Sequence, residues 1–136
     1  MRREISAALI ALLALGGCAP RGYVACPSRL PGTWHARDGS TLILRPGGSA
    51  TAQLLRLIGD GRIVSTEGNW SEPKPNKTPG FWGSYWWNFD LALARVGDFP
   101  GAGLEMHLEC EGDTATLFEW TGDPDTNERR EFNKGS

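Results

Sequence analysis

Turn chemistry punctuates this chain at short intervals and limits what it can fold into. Asp38-Gly39, Pro46-Gly47-Gly48, Gly59-Asp60-Gly61, Gly97-Asp98 with Pro100-Gly101, Gly112-Asp113 and Gly122-Asp123-Pro124-Asp125 divide residues 32–134 into short runs. Gly and Asx residues tolerate the positive φ values that tight hairpins need, and Pro presets the first turn residue. The runs between them alternate. From Leu104 to Glu111, Leu104, Met106, Leu108 and Cys110 fall on one face, and Glu105, His107, Glu109 and Glu111 on the other. Period two with one polar face predicts a half-buried antiparallel strand.

The other runs support the same reading. Leu42 and Leu44 share a face within Ser40–Arg45, and Trp87, Phe89, Leu91 and Leu93 share one within Phe81–Val96. Arg62–Trp70, Thr114–Thr121 and Glu128–Lys134 complete the pattern, with Phe118 and Trp120 on the face of Thr116. Ser49–Ile58 reads as strand or short helix, with Leu54–Ile58 the ambiguous part. Ser71–Gly80, polar and spaced by Pro73, Pro75 and Pro79, predicts an exposed loop. The expected fold is all-β: one antiparallel meander of about eight strands, forming either a small barrel or a half-open sheet.

Ahead of this domain stands an address. Arg2 and Arg3 precede a nearly continuous apolar run, Ile5–Leu15, which ends in Gly16-Gly17-Cys18. A basic start, a short apolar stretch and small residues at the cut make a secretory signal, and the run is shorter than the ~20 residues of a membrane span. Residues 1–17 are therefore expected to be a signal helix, 18–31 a tether and 32–136 the β-domain.

Leu15-Gly16-Gly17-Cys18 resembles the lipobox of bacterial lipoproteins. The resemblance implies cleavage before Cys18, diacylation (palmitate among the acyl groups) on its thiol, and a protein held on the extracytoplasmic side of the cell membrane. In a two-membrane host the outer membrane is expected, because Ala19 is not the Asp that retains some lipoproteins at the inner one. Two acyl chains suffice for stable anchoring where one does not.

Composition narrows the rest. Without its first 17 residues the chain has 12 basic and 15 acidic residues, a net charge of −3 that argues against nucleic acid as partner. With Cys18 assigned to lipid, Cys26 and Cys110 remain. An even pair in an exported chain predicts a disulfide. A rival reading joins them to His35 and His107 as a tetrahedral zinc site. If Cys26 is bridged, only Ala19–Ala25 are free, and at ~3.3 Å per residue they reach no more than about 25 Å from the lipid.

Gly32-Thr33-Trp34 on the first strand, a meander and a late arginine are similar to the lipocalin pattern. That resemblance implies a Trp closing one barrel end with Arg129 or Arg130 packed on it as a cation–π pair. Gly32, Trp34 and Arg130 are thus the expected structural residues. With Asp38-Gly39, Gly68-x-Trp70, Gly122-Asp123-Pro124-Asp125 and Phe132, the chain also resembles a family of small actinobacterial lipoproteins, which carries no known activity to transfer.

No catalytic set and no cofactor or metal motif stands out. His35 and His107 are the only histidines, and no serine lies in a Gly-x-Ser-x-Gly elbow. Glu105, Glu109 and Glu111 read as a solvated strand face. Asp123, Asp125 and Asn127 mimic half a calcium loop, but Lys134 stands where the closing Glu belongs. The expectation is a non-catalytic, membrane-anchored binding or scaffold module. A modulator of another envelope protein is the first alternative and a hydrolase the last. Trp82, Tyr85 and Trp86 form the candidate binding surface. Envelope protein, apolar ligand and carbohydrate all suit it, besides the bilayer reached through acylated Cys18. A cavity lined by Leu42, Leu91, Leu104 and Met106 would favour the binding module, a filled interior with Trp82 or Trp86 exposed the modulator, and a buried His beside a Ser or carboxylate in a cleft the hydrolase.

Overall fold

A computed structural model describes residues 26–75 and 85–135. The signal segment, Cys18 and Trp82 lie outside the described residues. The described residues form nine strands: β1 Gly32–Ala36, β2 Thr41–Leu44, β3 Ser49–Arg56, β4 Ile63–Trp70, β5 Lys74–Pro75, β6 Tyr85–Leu93, β7 Ala102–Glu111, β8 Thr114–Trp120 and β9 Arg129–Lys134. All pair antiparallel with a neighbour. β1 pairs with β9, Trp34 opposite Lys134, and β4 pairs with β6, Gly68 opposite Leu93. These two ladders close eight strands into a barrel. The ninth, β5, takes up the edge of β6 beyond β4, Lys74 opposite Asn88. The meander is therefore a closed barrel, and closure removes the free edges an open sheet would expose.

Alternation along each strand sorts side chains to the inside and the outside. Trp34, Leu42, Leu55, Leu91, Met106, Leu108, Leu117 and Phe132 are each at most 1% exposed. The ambiguous Ser49–Ile58 run is a strand with a bulge between Ala52 and Leu55. Because of the bulge, Leu55 enters the core while Leu54 points out. The seam between β4 and β6 depends on Gly68. A Cβ there would lie 2.3 Å from the Ala92 carbonyl oxygen, so only glycine lets the two backbones approach.

One end of the barrel is plugged. Cys26–Arg29, expected within the tether, instead forms a 3₁₀ turn bound to the barrel by a Cys26–Cys110 disulfide. Leu30 follows it, fully buried, and its carbonyl accepts the Trp34 indole N–H at 2.8 Å. Arg29 donates to the Gly112 carbonyl at 2.9 Å, and Lys134 Nζ to the Arg29 carbonyl at 2.7 Å. Lys134 also stands 5.7 Å from the Trp34 ring centroid. The cation on this tryptophan is thus Lys134, where Arg129 or Arg130 was expected. Lys134 and Trp34 are cross-strand partners on the same face, whereas Arg130 lies four residues further along β9 toward the opposite end. Gly32 belongs to the same corner: its φ of 146° suits glycine, and a Cβ would meet Lys134 Cε at 2.5 Å.

Candidate binding surface

The interior does not offer a ligand site against its core residues. Leu42, Leu91 and Met106, the side chains expected to line a cavity, are 0–1% exposed, which leaves no water-sized void against them. Leu104 is partly buried and packs on the same cluster. The barrel is filled there by side chains, as small eight-stranded barrels can be.

Recognition chemistry is therefore sought on the walls. The outer face of β6, β7 and β8 carries an aromatic group that single-strand alternation only half announces. His107 pairs with Asn88 on one side and Phe118 on the other. Its ring stacks on Phe118 at 5.0 Å and 27°, and Trp120 lies 5.9 Å from it. Trp86 and Trp120 both meet Phe118 edge-on, at 6.3 and 5.1 Å. The Arg129 guanidinium sits 4.3 Å from the Phe118 centroid and is held by Glu109 at 3.1 Å and Glu131 at 2.9 Å. Phe118 is wholly buried and His107 nearly so, while Trp86 and Trp120 are half-buried.

Thus the outer face of β7 is not uniformly polar. His107 Nδ1 hydrogen-bonds Asn88 Oδ1 at 2.7 Å, and its Nε2 is buried with no partner. Since a carboxamide oxygen only accepts, Nδ1 carries the proton and Nε2 presents a lone pair to the aromatic cluster. Burial pushes the His107 pKa below its ordinary value, against an opposing pull from Glu105. The imidazole is neutral at pH 7.

The barrel end opposite the plug holds a buried ion network. Arg130, expected on Trp34, donates instead to Glu119 at 2.6 Å and to Asp38 at 3.0 Å. Its Nη1 also reaches Ser40 Oγ at 3.3 Å and the Arg56 carbonyl. Phe132 lies 5.1 Å from its guanidinium carbon. Burial raises the Asp38 pKa, but hydrogen bonds from Ser40 and Arg130 outweigh it and hold the carboxyl below its usual range. Arg130 thus neutralises Glu119 within the barrel wall in place of packing on Trp34.

The remaining candidates fall apart as a site. Cys26 and Cys110 are bonded to each other, which removes the zinc reading. His35 Nδ1 contacts Thr41 Oγ1 at 3.1 Å on the exposed wall of β1, far in register from His107. Asp123–Asn127 is a turn: the Asp123 side chain accepts the Asp125 N–H at 2.9 Å and its carbonyl the Thr126 N–H at 3.1 Å. Among the described residues, no group of three or more His, Cys, Asp or Glu side chains is placed to hold a metal ion. Of the three aromatic residues expected to bind, Trp86 is in the outer cluster, Tyr85 opens β6 opposite Cys110, and Trp82 is outside the described residues. Phe118, Trp120, Arg129 and Glu109 are the members that the sequence did not single out together. Register alone places them side by side, and β8 and β9 alternation was the available signal.

Comparison with protein-family models, with curated proteins and with solved structures finds no significant match to this chain.

Proposed function

We propose that this protein is a lipid-anchored envelope lipoprotein whose barrel is a non-catalytic binding module working through its outer walls. The observation that carries the outer-wall reading is the filled interior beside Leu42, Leu91 and Met106. The anchor reading rests on the lipobox Leu15-Gly16-Gly17-Cys18, its resemblance to bacterial lipoproteins, and its position eight residues ahead of Cys26. The disulfide supports an oxidising, extracytoplasmic home. It also shortens the free tether to Ala19–Ala25, seven residues with a reach of about 23 Å. Whatever the barrel meets, it meets close to the bilayer.

A second reading, modulation of another envelope protein, is favoured by the half-buried Trp86 and Trp120 around Arg129. Amphipathic aromatics with a charged planar neighbour suit a protein contact. The anchor is tested by growing cells with labelled palmitate. Label should enter the wild-type chain and be absent from Cys18→Ala, which should leave the membrane fraction. Label on Cys18→Ala would refute the anchor.

A further inference from the structure

The exposed large aliphatic side chains among the described residues are four: Leu54 (64%), Ile63 (52%), Val96 (43%) and Ile58 (40%). They fall in one sector. Leu54 is on the outer wall of β3, and its N–H is bound by Ser65 Oγ of β4 at 2.9 Å. Ile63 opens β4 opposite Arg56, and Ile58 is in the turn between the two strands. Val96 is in the β6–β7 loop, which is fastened to β4 by Ala94 N–H to the Glu67 carbonyl at 2.8 Å and Thr66 Oγ1 to the Ala94 carbonyl at 2.9 Å. Gln53, Ser65 and Val96 line one cleft there of about 550 Å³.

Leu54 is doubly unfavourable where it stands. Its φ of 51° is in the left-handed region that favours Gly and Asn, and its side chain is in water. Strain held in place by a bulge and a side-chain hydrogen bond, in order to display an apolar residue, points to a surface with a use.

Charge gives the surface its partner. Residues 41–70 and 94–101, which build this sector, carry Arg45, Arg56, Arg62 and Arg95 against Asp60, Glu67 and Asp98, a net charge of +1. The other described residues carry six basic and twelve acidic side chains, a net charge of −6. The sector that displays all four aliphatic side chains is thus close to neutral, while the rest of the described chain taken together is acidic. Aliphatic groups flanked along the chain by the exposed Arg56, Arg62 and Arg95 are the complement of an anionic lipid surface, where headgroups meet guanidinium and acyl chains meet leucine.

We propose that the β3–β4 wall lies on an anionic bilayer, so that the barrel reclines on the membrane with its acidic β7–β9 side turned outward. The placement rests on the anchor reading for its local concentration. The plug end, where the tether leaves, adjoins the start of this same wall: Pro27 and Ser28 line one groove with Gly48 and Trp70. Seven residues are enough for a barrel lying on its side.

The test uses the mature chain from residue 18 with Cys18→Ala, which bears no acyl group, so its result is independent of whether Cys18 is acylated; palmitate labelling decides that separately. Co-sedimentation is measured with vesicles of phosphatidylglycerol and phosphatidylethanolamine, and with vesicles of phosphatidylcholine alone. Binding should favour the anionic vesicles and fall with salt. Arg56→Gln and Arg62→Gln should each weaken it about fivefold. Leu54→Asn should weaken it about tenfold, yet raise the unfolding midpoint by a few degrees, because Asn accepts the left-handed backbone. That opposite pair of shifts separates a display role from a structural one. Equal binding to both vesicle types, no binding, or binding indifferent to Leu54→Asn would overturn the proposal. Self-association in sedimentation velocity that Leu54→Asn abolishes, without vesicle binding, would replace the bilayer by a second copy of the chain.

Discussion

Replacing Arg130 by Met should be among the most damaging single changes to this barrel. Arg130 and Glu119 are about nine-tenths buried, and the guanidinium is the recorded partner of the Glu119 carboxylate at 2.6 Å. Removing the cation leaves a carboxylate facing the barrel interior without its counter-charge. Breaking a buried pair from one side costs about 3–5 kcal/mol. Asp38 also loses a partner, but its side chain is 27% exposed and keeps the Ser40 N–H at 2.9 Å, so its share is small. For a domain of about 100 residues, each kcal/mol shifts the melting midpoint by roughly 4–8 °C. The expected fall is therefore about 12–40 °C. The double variant Arg130→Met/Glu119→Leu removes both charges and should recover most of the loss, since a well-packed apolar pair is about as stable as a buried ion pair. Urea and thermal unfolding of the oxidised protein, followed by tryptophan fluorescence, would measure all three. A cost below about 1 kcal/mol for Arg130→Met, or a double variant no better than the single one, would refute the reasoning.

Reducing the Cys26–Cys110 bond, or replacing both cysteines by Ser, should cost about 4–5 kcal/mol for a loop spanning 84 residues on the chain-entropy estimate, read as a lower urea midpoint. Gly68→Ala should cost at least about 2 kcal/mol, because its Cβ would overlap the Ala92 carbonyl across the β4–β6 seam; hydrogen exchange should rise first at Gly68–Trp70 and Leu91–Leu93. The His107 imidazole has a native pKa below its unfolded value near 6.5, so the unfolded chain binds the extra proton. Its contribution to stability is full above about pH 6.5 and is lost as pH falls from there toward the lower native value; His107→Gln should flatten that part of the urea midpoint against pH.

Much of the strand content was legible because alternation is local. Leu104–Glu111 shows its inner face at a glance, and Met106, Leu108 and Cys110 are buried as that pattern requires. The disulfide was legible too, because reading Cys18 as the lipid-bearing residue of an exported chain leaves an even pair. What stayed hidden depends on register between strands. The pairing of Trp34 with Lys134 joins positions 100 residues apart, and no local pattern says whether the first strand meets the last. For the same reason an arginine four residues away was expected where Lys134 stands over Trp34. His107 reads as one more polar residue on a wet face. Only its cross-strand neighbours Asn88 and Phe118 reveal it as buried among rings. Leu54 and Leu55 defeat period two counted from Ala50 and Ala52, since the bulge shifts the phase and turns Leu54 outward and Leu55 inward.

The disulfide also determines how the barrel bears a pull. Tension on the chain ahead of Cys26 divides there, one branch running to Gly32 and the other through sulfur to Cys110. Cys110 lies in β7, with Tyr85 of β6 across one edge and Ala115 of β8 across the other. β7 is held to β6 by nine residue pairs and to β8 by five. β1 is also clamped on both sides, but by only four pairs to β2 and three to β9, so fewer hydrogen bonds share a load applied there. Cross-linking at Cys26 thus shares the mechanical load between the short-paired β1 and the longer-paired β7. An oxidised barrel should resist extraction by force far better than a reduced one, by a margin larger than the difference in their equilibrium stabilities.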